Sequence, residues 1–438
     1  MVDEQRTYRY ADVAGWSEAI ADAMVDQGIE RFAVVTTDAA MAIALLAASS
    51  LVPAEACQYP GTDTPSDIAA LLERFDHDVL VTDRTDLADL PARVLSVDDL
   101  APFGATSAAD RPVPDGPRPL LILTTGTTGQ PRAARHDWHR SLRRLLRLEL
   151  RPGPRWLLAY GHHQFAGMHF VMNMLALGAT VVTRRETRPK DALAAMRADA
   201  VTSVGATPTW WRFVLAELAA EGGPAPDLQQ LTLGGEAVPD SLLEQLGTTF
   251  PNARITQIYG GNEFGTSGSV QDRRAGLPTS VLDRGEDADV QIKVVDDELW
   301  VRSRIGMLGY YGEEAVDPDA WRPTGDRVEI VGDRIMFRGR TTEIINVGGV
   351  KVSPVPVEEA IGVVPGVQLV RAFGRENRLT GAMVAAEVVA EPGIDTDELA
   401  GAIRAACADL PAAMRPRSIK FVEELAVRGG KINRRVTT

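Results

Sequence analysis

The sequence predicts an α/β protein: a large, multi-layered α/β domain over residues 1–339, then a small α+β domain over residues 340–438. Three observations point there. Short apolar runs alternate with helical patterns through the first half of the chain, the rhythm of a largely parallel sheet. Past about residue 271 the pattern turns to antiparallel strands joined by tight turns. From about Arg340 strands and helices resume on a smaller scale.

In order, residues 32–36 read as a strand, 39–50 and 68–75 as helices, and 78–82 as a strand. Residues 101–119, rich in Pro, Ala, Asp and Gly, form a loop into the next strand. The alternation continues with strands at 157–160, 180–183, 200–204 and 231–233, and helices around 168–177, 192–198 and 210–220. The strands at 290–295, 298–302, 327–331 and 333–338 are separated by turns such as Val295-Asp296-Asp297-Glu298 and Gly332-Asp333. The last part has helices at 356–363 and 396–410, strands at 367–374 and 381–389, and a short strand before a Gly-rich tail. No internal repeat interrupts this order.

Composition narrows the function. The chain has 438 residues, 45% of them hydrophobic, enough to bury a large core divided among two or more domains. A net charge of −14 argues against a general nucleic-acid or anionic-membrane binder, which needs broad positive potential. Lysine is confined to Lys190, Lys293, Lys351, Lys420 and Lys431, so a lysine at a motif position carries weight. Cys57 and Cys407 lie far apart without metal-ligand spacing. The first residues lack an apolar signal core and no run reaches transmembrane length, so the expected compartment is the cytoplasm.

The chemistry gathers around residues 121–132, LILTTGTTGQPR. Behind an apolar run, the glycines let backbone N–H groups converge, and the neighbouring hydroxyls add donors suited to phosphate oxygens. Thr124, Thr125, Gly126, Thr127, Thr128 and Gly129 are the candidates, with Arg132 as the cation behind Pro131. It is not a Walker loop, because Gly129 is followed by Gln130 and Pro131 where that motif needs Lys and Ser or Thr. Gly234, Gly235, Glu236 and Ala237 follow an apolar strand and suit a flat ring lying against its end. In Tyr259-Gly260-Gly261-Asn262-Glu263 the carboxylate of Glu263 offers an oxygen ligand for a hard cation bridging phosphates. Asp326, after Thr324 and Gly325, can accept two hydroxyls of a cis-diol, with Arg340 as an added donor. Lys431 stands behind Gly429 and Gly430 near the C-terminus.

Together these motifs resemble those of the adenylate-forming enzymes, a superfamily of acyl-CoA synthetases, peptide-synthetase adenylation domains and luciferases. The resemblance covers nearly the whole chain, although the part before the phosphate loop is shorter than in most members. It implies ATP and Mg²⁺ as co-substrate and cofactor, with Glu263 and Thr127 at the metal. Tyr259, Gly260, Gly261 and Asn262 then lie near the adenine and phosphates, and Asp326 and Arg340 at the ribose. Lys431 is the implied catalytic lysine between carboxylate and α-phosphate, acting with Arg132 and Glu263. Around Tyr160 to His169 the family position is that of the acid pocket, giving His163, Gln164, Phe165 and Gly167; His136, His139 and His169 read as core or surface histidines. Thr342 occupies the hinge at which the small domain of relatives rotates. Gly348 and Gly349 could line a pantetheine tunnel or form a hairpin.

Three positions depart from the family's pattern: Arg132 stands for Lys, Asn262 for Thr, and Thr342 for Asp or Lys. The expected reaction is activation of a small carboxylic acid, aryl or unsaturated, as an acyl-adenylate with pyrophosphate release, followed by transfer to CoA. A carrier protein or an amine as acceptor, nitrite as the acid in diazotisation of an aryl amine, and a regulatory nucleotide-binding pseudoenzyme are the alternatives. No nucleic-acid or membrane partner is expected.

Overall fold

The computed structural model describes the chain apart from residues 108–117, 125–129, 185–187, 379, 429–430 and 433–438. Cα proximity groups it into two compact units. One comprises Met1–Gly205, Gly260–Thr266 and Ser303–Ala320, the other Ala206–Tyr259, Ser267–Arg302 and Trp321–Thr438.

The first unit is built on a seven-stranded sheet. Its strands run, from one edge to the other, Gly309–Tyr310, Arg132–Asp137, Pro119–Thr124, Glu55–Gln58, Arg31–Val35, Val79–Thr82 and Arg93–Leu95. From Pro119–Thr124 onward the pairs are parallel; the two pairs at the other edge are antiparallel. Arg31–Val35 explains why the parallel part reads as continuous apolar runs. Its Phe32 and Val34 enter one core with Trp16, Ile20, Met24 and Leu45. Ala33 and Val35 enter another with Cys57, Tyr59, Leu72 and Leu80, so both faces are covered. The covering helices start where the sequence supplies caps: Asp38 accepts from the N–H groups of Ala40 and Met41, and Thr64 accepts from Asp67 ahead of Pro65. Arg155–Leu158 pairs in parallel with Thr180–Val182 and with the start of Ser203–Ala206.

Several expected elements shift. The strand placed at 200–204 is Ser203–Ala206, because Ala200, at φ +49°, turns the chain after the Pro189–Ala198 helix. The helix expected around 168–177 is Phe165–Ala176, which takes Phe165 and Gly167 into its first turn. The Tyr10–Asp26 helix and the strands Glu55–Gln58, Arg132–Asp137 and Gly309–Tyr310 are additions to the sequence reading.

In the second unit Gln230–Gly234 and Arg254–Gly261 pair in parallel through Ile258. A five-stranded sheet follows the order Leu277–Pro278, Arg334–Arg340, Arg322–Val331, Glu298–Ser303, Val290–Val295. Asp296 and Asp297, at φ +49° and +58°, make the two-residue turn that the sequence signalled. Further along, Gly381–Ala390 lies between Val367–Asn377 and Ser418–Phe421, with the hairpin Ile345–Val347 and Val350–Val352 joined to the same sheet. Gly348 and Gly349, both at positive φ, are the turn of that hairpin. The helices Val355–Gly362 and Thr396–Ala406 supply Val357, Ile361, Leu399 and Ile403 to a separate core with Val370, Val384 and Val388. The protein is thus mixed α/β with a smaller C-terminal α+β portion. Among the described residues no helix is long and apolar enough to cross a membrane.

Candidate functional site

The candidate residues fall into two polar clusters, one in each unit. In the first unit, Thr124 ends one strand and Arg132 begins its antiparallel partner, directly opposite. The connection 125–129, with Thr125, Gly126, Thr127, Thr128 and Gly129, lies outside the described residues. The guanidinium of Arg132 lies 3.4 Å from the centroid of the Tyr310 ring and pairs with Glu313 at 2.5 Å. The Tyr310 hydroxyl donates to Glu263 Oε1 at 2.8 Å. Burial pushes that phenol's pKa up, and the neighbouring Glu263 carboxylate adds to it, so the hydroxyl keeps its proton.

Asn262 is bound on both ends of its amide. Its Nδ2 donates to the carbonyl of Ile122 at 3.2 Å, which leaves Oδ1 to accept from His136 Nε2 at 2.8 Å. His136 is buried, and burial lowers its pKa to about 4, so the ring is neutral with its proton on Nε2. It stacks on Phe165 at 5.6 Å, and Phe165 meets His169 at 4.3 Å. Burial also lowers His162 and His163 to about 4, and His169 to about 3 with His136 as a second cause. Gln164 caps the Phe165–Ala176 helix through its backbone. Gly167 is required there: a Cβ would lie 2.2 Å from the Gly161 carbonyl oxygen. The sequence-derived pocket residues His163, Gln164, Phe165 and Gly167 therefore share one segment, and His136, read from sequence as a core or surface residue, joins their aromatic wall. His139 is exposed on its helix.

In the second unit, Asp326 and Arg340 face each other across paired strands. Arg340 Nε donates to Asp326 Oδ1 at 3.0 Å, and the hydroxyl of Tyr259 donates to Oδ2 at 2.8 Å. Burial raises the pKa of Asp326 against the opposing influence of Arg340, Tyr259 and Lys431. The Tyr259 ring packs on Phe337 at 5.1 Å. Gly234 closes its strand, and Gly235 follows at φ +91°. A Cβ on Gly235 would lie 2.9 Å from Cε and 3.2 Å from Nζ of Lys431. The lysine therefore crosses the space that a side chain would fill. It begins the two-residue strand Lys431–Ile432, paired with Val427–Arg428, and Ile432 packs with Phe213, Leu369 and Leu425. Glu236 has a structural use: its carboxylate accepts from the N–H and hydroxyl of Thr209 at 3.0 and 2.9 Å, at the start of the Pro208–Glu221 helix. Ala237 beside it is exposed. Thr342 sits exposed in the 3-10 turn Thr341–Glu343 directly after Arg340.

The sequence reading missed Tyr310 and Glu313; Phe337 stood in the Phe337-Arg338-Gly339-Arg340 segment that it grouped with the ribose motif. Gly309-Tyr310-Tyr311-Gly312 was the available signal for the first, an aromatic pair framed by glycines. Among the described residues no group of three His, Cys, Asp or Glu side chains is arranged to hold a metal ion. Glu263 remains compatible with Mg²⁺, which takes one or two protein carboxylates and completes its shell with substrate phosphates and water.

Arg132 and Glu263 meeting on Tyr310, and the Asp326–Arg340 pair with Tyr259, are the two charged clusters that an α/β scaffold offers to a nucleotide. The chain belongs to the AMP-binding enzyme family: residues 1–311 match that family and residues 356–429 match the AMP-binding enzyme C-terminal domain. This places it in the adenylate-forming superfamily. It is 28% identical over 379 residues to a salicylyl-CoA synthase / salicylate adenylyltransferase of a Streptomyces species, covering 80% of this chain and 68% of that one. Its fold matches the anthranilate CoA ligase AuaEII, solved with anthranoyl-AMP, at a TM-score of 0.83 and 20% identity, over 98% of this chain and 91% of that one. It also matches the o-succinylbenzoate CoA synthetase of Bacillus subtilis, solved with ATP and a magnesium ion, at 0.78 and 20% identity, over 99% and 95%.

Proposed function

We propose that the chain is an acyl-CoA synthetase-like ligase that uses ATP and Mg²⁺ to activate a carboxylic acid, aryl or otherwise unsaturated, and then transfers the acyl group to CoA. In the first step a carboxylate oxygen attacks the α-phosphorus of ATP, the bond to the bridging oxygen breaks, and pyrophosphate leaves. In the second the CoA thiolate attacks the acyl carbon and AMP leaves. The observation that carries this reading is Lys431, the scarce lysine, lying across Gly235 in the same cluster as Asp326.

Each cluster has a task under this reading. Asp326 accepts the ribose hydroxyls, Arg340 steadies that carboxylate, and the Tyr259 ring, backed by Phe337, lies beside adenine with Gly235, Gly260 and Gly261. Glu236 contributes its backbone, since its carboxylate already serves Thr209. Lys431 stabilises the charge that builds on the α-phosphate and carboxylate as pyrophosphate departs. Arg132 and the 124–129 loop hold the outer phosphates. Glu263, with Thr127, is the metal ligand, and bound Mg²⁺ would neutralise phosphate charge. The neutral wall of His136, Phe165 and His169, next to His163 and Gln164, suits a flat acid whose one charge is the reacting carboxylate.

The domain border is placed at 339/340, with the small domain turning at Thr342. The family match that ends at 311 and the second that begins at 356 support a border in that interval. Cys57 and Cys407, both free and buried, fit a reducing cytoplasm.

The experiment is pyrophosphate release over aryl, fatty and amino acids, and nitrite with aryl amines, each with and without CoA, with products read by mass. An acid-dependent release giving a CoA thioester is expected. Release that ignores CoA and requires a carrier protein, an amine or nitrite would overturn the second step. Tight ATP binding without release from any member of the panel would overturn the first.

A further inference from the structure

We infer that Tyr310 is a positioning residue shared by the two charged groups of the phosphate side: its ring carries the Arg132 guanidinium and its hydroxyl orients the Glu263 carboxylate. The inference rests on the proposed role of Glu263 and adds a residue to it.

The backbone fixes where this tyrosine stands. Gly309–Tyr310 pairs with Arg132–Asp137 so that Tyr310 lies opposite Ala134. Arg132, two residues earlier on that strand, is on the same face, the diagonal neighbour that a long side chain can reach. The N–H of Leu308 donates to the Arg135 carbonyl at 2.6 Å and that of Tyr311 to the Ala133 carbonyl at 2.9 Å, pinning the tyrosine from both sides. On the other side, the N–H of Met307 donates to the Glu263 carbonyl at 3.2 Å. The segment holding Tyr310 is thereby tied to the strand that begins with Arg132 and to the backbone of Glu263.

The side chains follow. At 3.4 Å from the ring centroid, the flat guanidinium lies against the phenol face, a geometry in which Arg differs from Lys because its planar charge can stack. Glu313, three residues after Tyr310, takes the edge of the guanidinium at 2.5 Å. Arg132 is thus held by one face and one edge while its other donors remain for phosphate oxygens. At the far end of the same ring, the 2.8 Å hydrogen bond to Oε1 of Glu263 restricts the carboxylate's rotation. Arg in place of Lys at position 132 is therefore matched to a tyrosine at position 310.

The test separates the ring from the hydroxyl by calorimetry with α,β-methylene-ATP, measured with Mg²⁺ and with EDTA. In the wild type Mg²⁺ tightens binding by some factor. Tyr310→Phe keeps the ring; it is expected to shrink that factor about three- to tenfold while the affinity in EDTA stays the same, the net scale of one intramolecular hydrogen bond. Tyr310→Leu removes both functions and is expected to weaken binding in EDTA as well. In a Glu263→Gln background Tyr310→Phe should add nothing, as two residues acting through one contact require. If Glu263→Gln abolishes the Mg²⁺ factor but Tyr310→Phe leaves it whole, or weakens binding equally with and without metal, the tyrosine inference is wrong. If Glu263→Gln itself leaves the factor whole, the assignment of Glu263 falls first and this inference with it. Thermal midpoints of the Phe variant within error of the wild type keep a folding defect from imitating the expected result.

Discussion

Five of the six histidines lose their ordinary titration on folding, which makes acid stability a sharp test of the pocket. His77, His136, His162 and His163 are lowered by burial to about 4, and His169 to about 3. All belong to the unit that contains Met1–Gly205. A histidine with a depressed native pKa binds fewer protons than it does in the unfolded chain, so stability is lost as pH falls through about 6.5 and is exhausted near the native value. For a native pKa of about 4 and an unfolded value of about 6.5, moving from pH 7.5 to 5.5 removes about 1.3 kcal/mol per ring. Five rings give roughly 6 kcal/mol as an upper figure. Partial solvent access at His162, His163 and His169 lowers it, and so do Asp326 and Glu359, whose raised pKa values act in the opposite sense. A net loss of about 3–5 kcal/mol remains, a large share of a domain's usual stability. Urea midpoints at pH 7.5, 6.5 and 5.5 measure the loss, and long-range proton–nitrogen spectra follow each ring. Ring signals titrating near pH 6.5, or a midpoint that holds or rises on acidification, would refute the reasoning.

Three substitutions address the second cluster. Lys431→Ala should cut the adenylation rate by ~10²–10³ with the fold intact, the scale of losing one preorganised donor; an undiminished rate removes the lysine from the mechanism. Gly235→Ala puts a methyl 2.9 Å from Lys431 Cε at a φ of +91°, so it should slow adenylation about tenfold or more through strain of about 1–3 kcal/mol and displacement of the lysine; wild-type pyrophosphate exchange would show that Lys431 does not cross that glycine during turnover. Asp326→Ala leaves Arg340 and the Tyr259 hydroxyl without their shared acceptor, and should both raise the KM for ATP and cost about 1–3 kcal/mol of stability; a normal KM would separate Asp326 from the ribose.

How much of this was legible in the sequence depended on whether a residue's partner was near in the chain. The parallel strands were legible because both their faces are apolar, and the 296–297 turn because two short polar residues between β-rich runs tolerate positive φ. Glu55–Gln58 was not, since its ends are polar. Glu55 is buried there only because Arg31 and Arg135 pair with it at 3.2 and 2.8 Å, from strands 24 and 80 residues away. Arg132–Asp137, RAARHD, hides for the same reason: it lacks an apolar run or alternation, and its polar side chains find partners only in tertiary structure. At the site, Asp326, Arg340 and Lys431 were nameable from short motifs. That Asp326 faces Arg340, and that Lys431 crosses Gly235, needed the strand register and the tertiary fold. Tyr310, in an aromatic pair framed by glycines, and Phe337, beside the Arg340 motif, have local marks, but neither shows its role until Arg132 and Tyr259 are placed on them.

The departures from the family's pattern gain a physical meaning from these partners. Arg132 rests on Tyr310 and is met by Glu313, a stack that an ammonium would not form in the same way. Asn262 uses its donor on the Ile122 carbonyl and its acceptor on His136, and the threonine of the usual motif, with donor and acceptor on one oxygen, could not span both. His136 in turn is the ring on which Phe165 stacks. One chain of contacts therefore runs from Ile122, on the strand Pro119–Thr124, through Asn262 and His136 to Phe165. A loop decaying without selection for chemistry has no reason to hold matched partners at Arg132 and Asn262. Arg132 and Asn262 are each seated by contacts that Lys and Thr would not make in the same way, and that packing is what a working ligase requires of both positions.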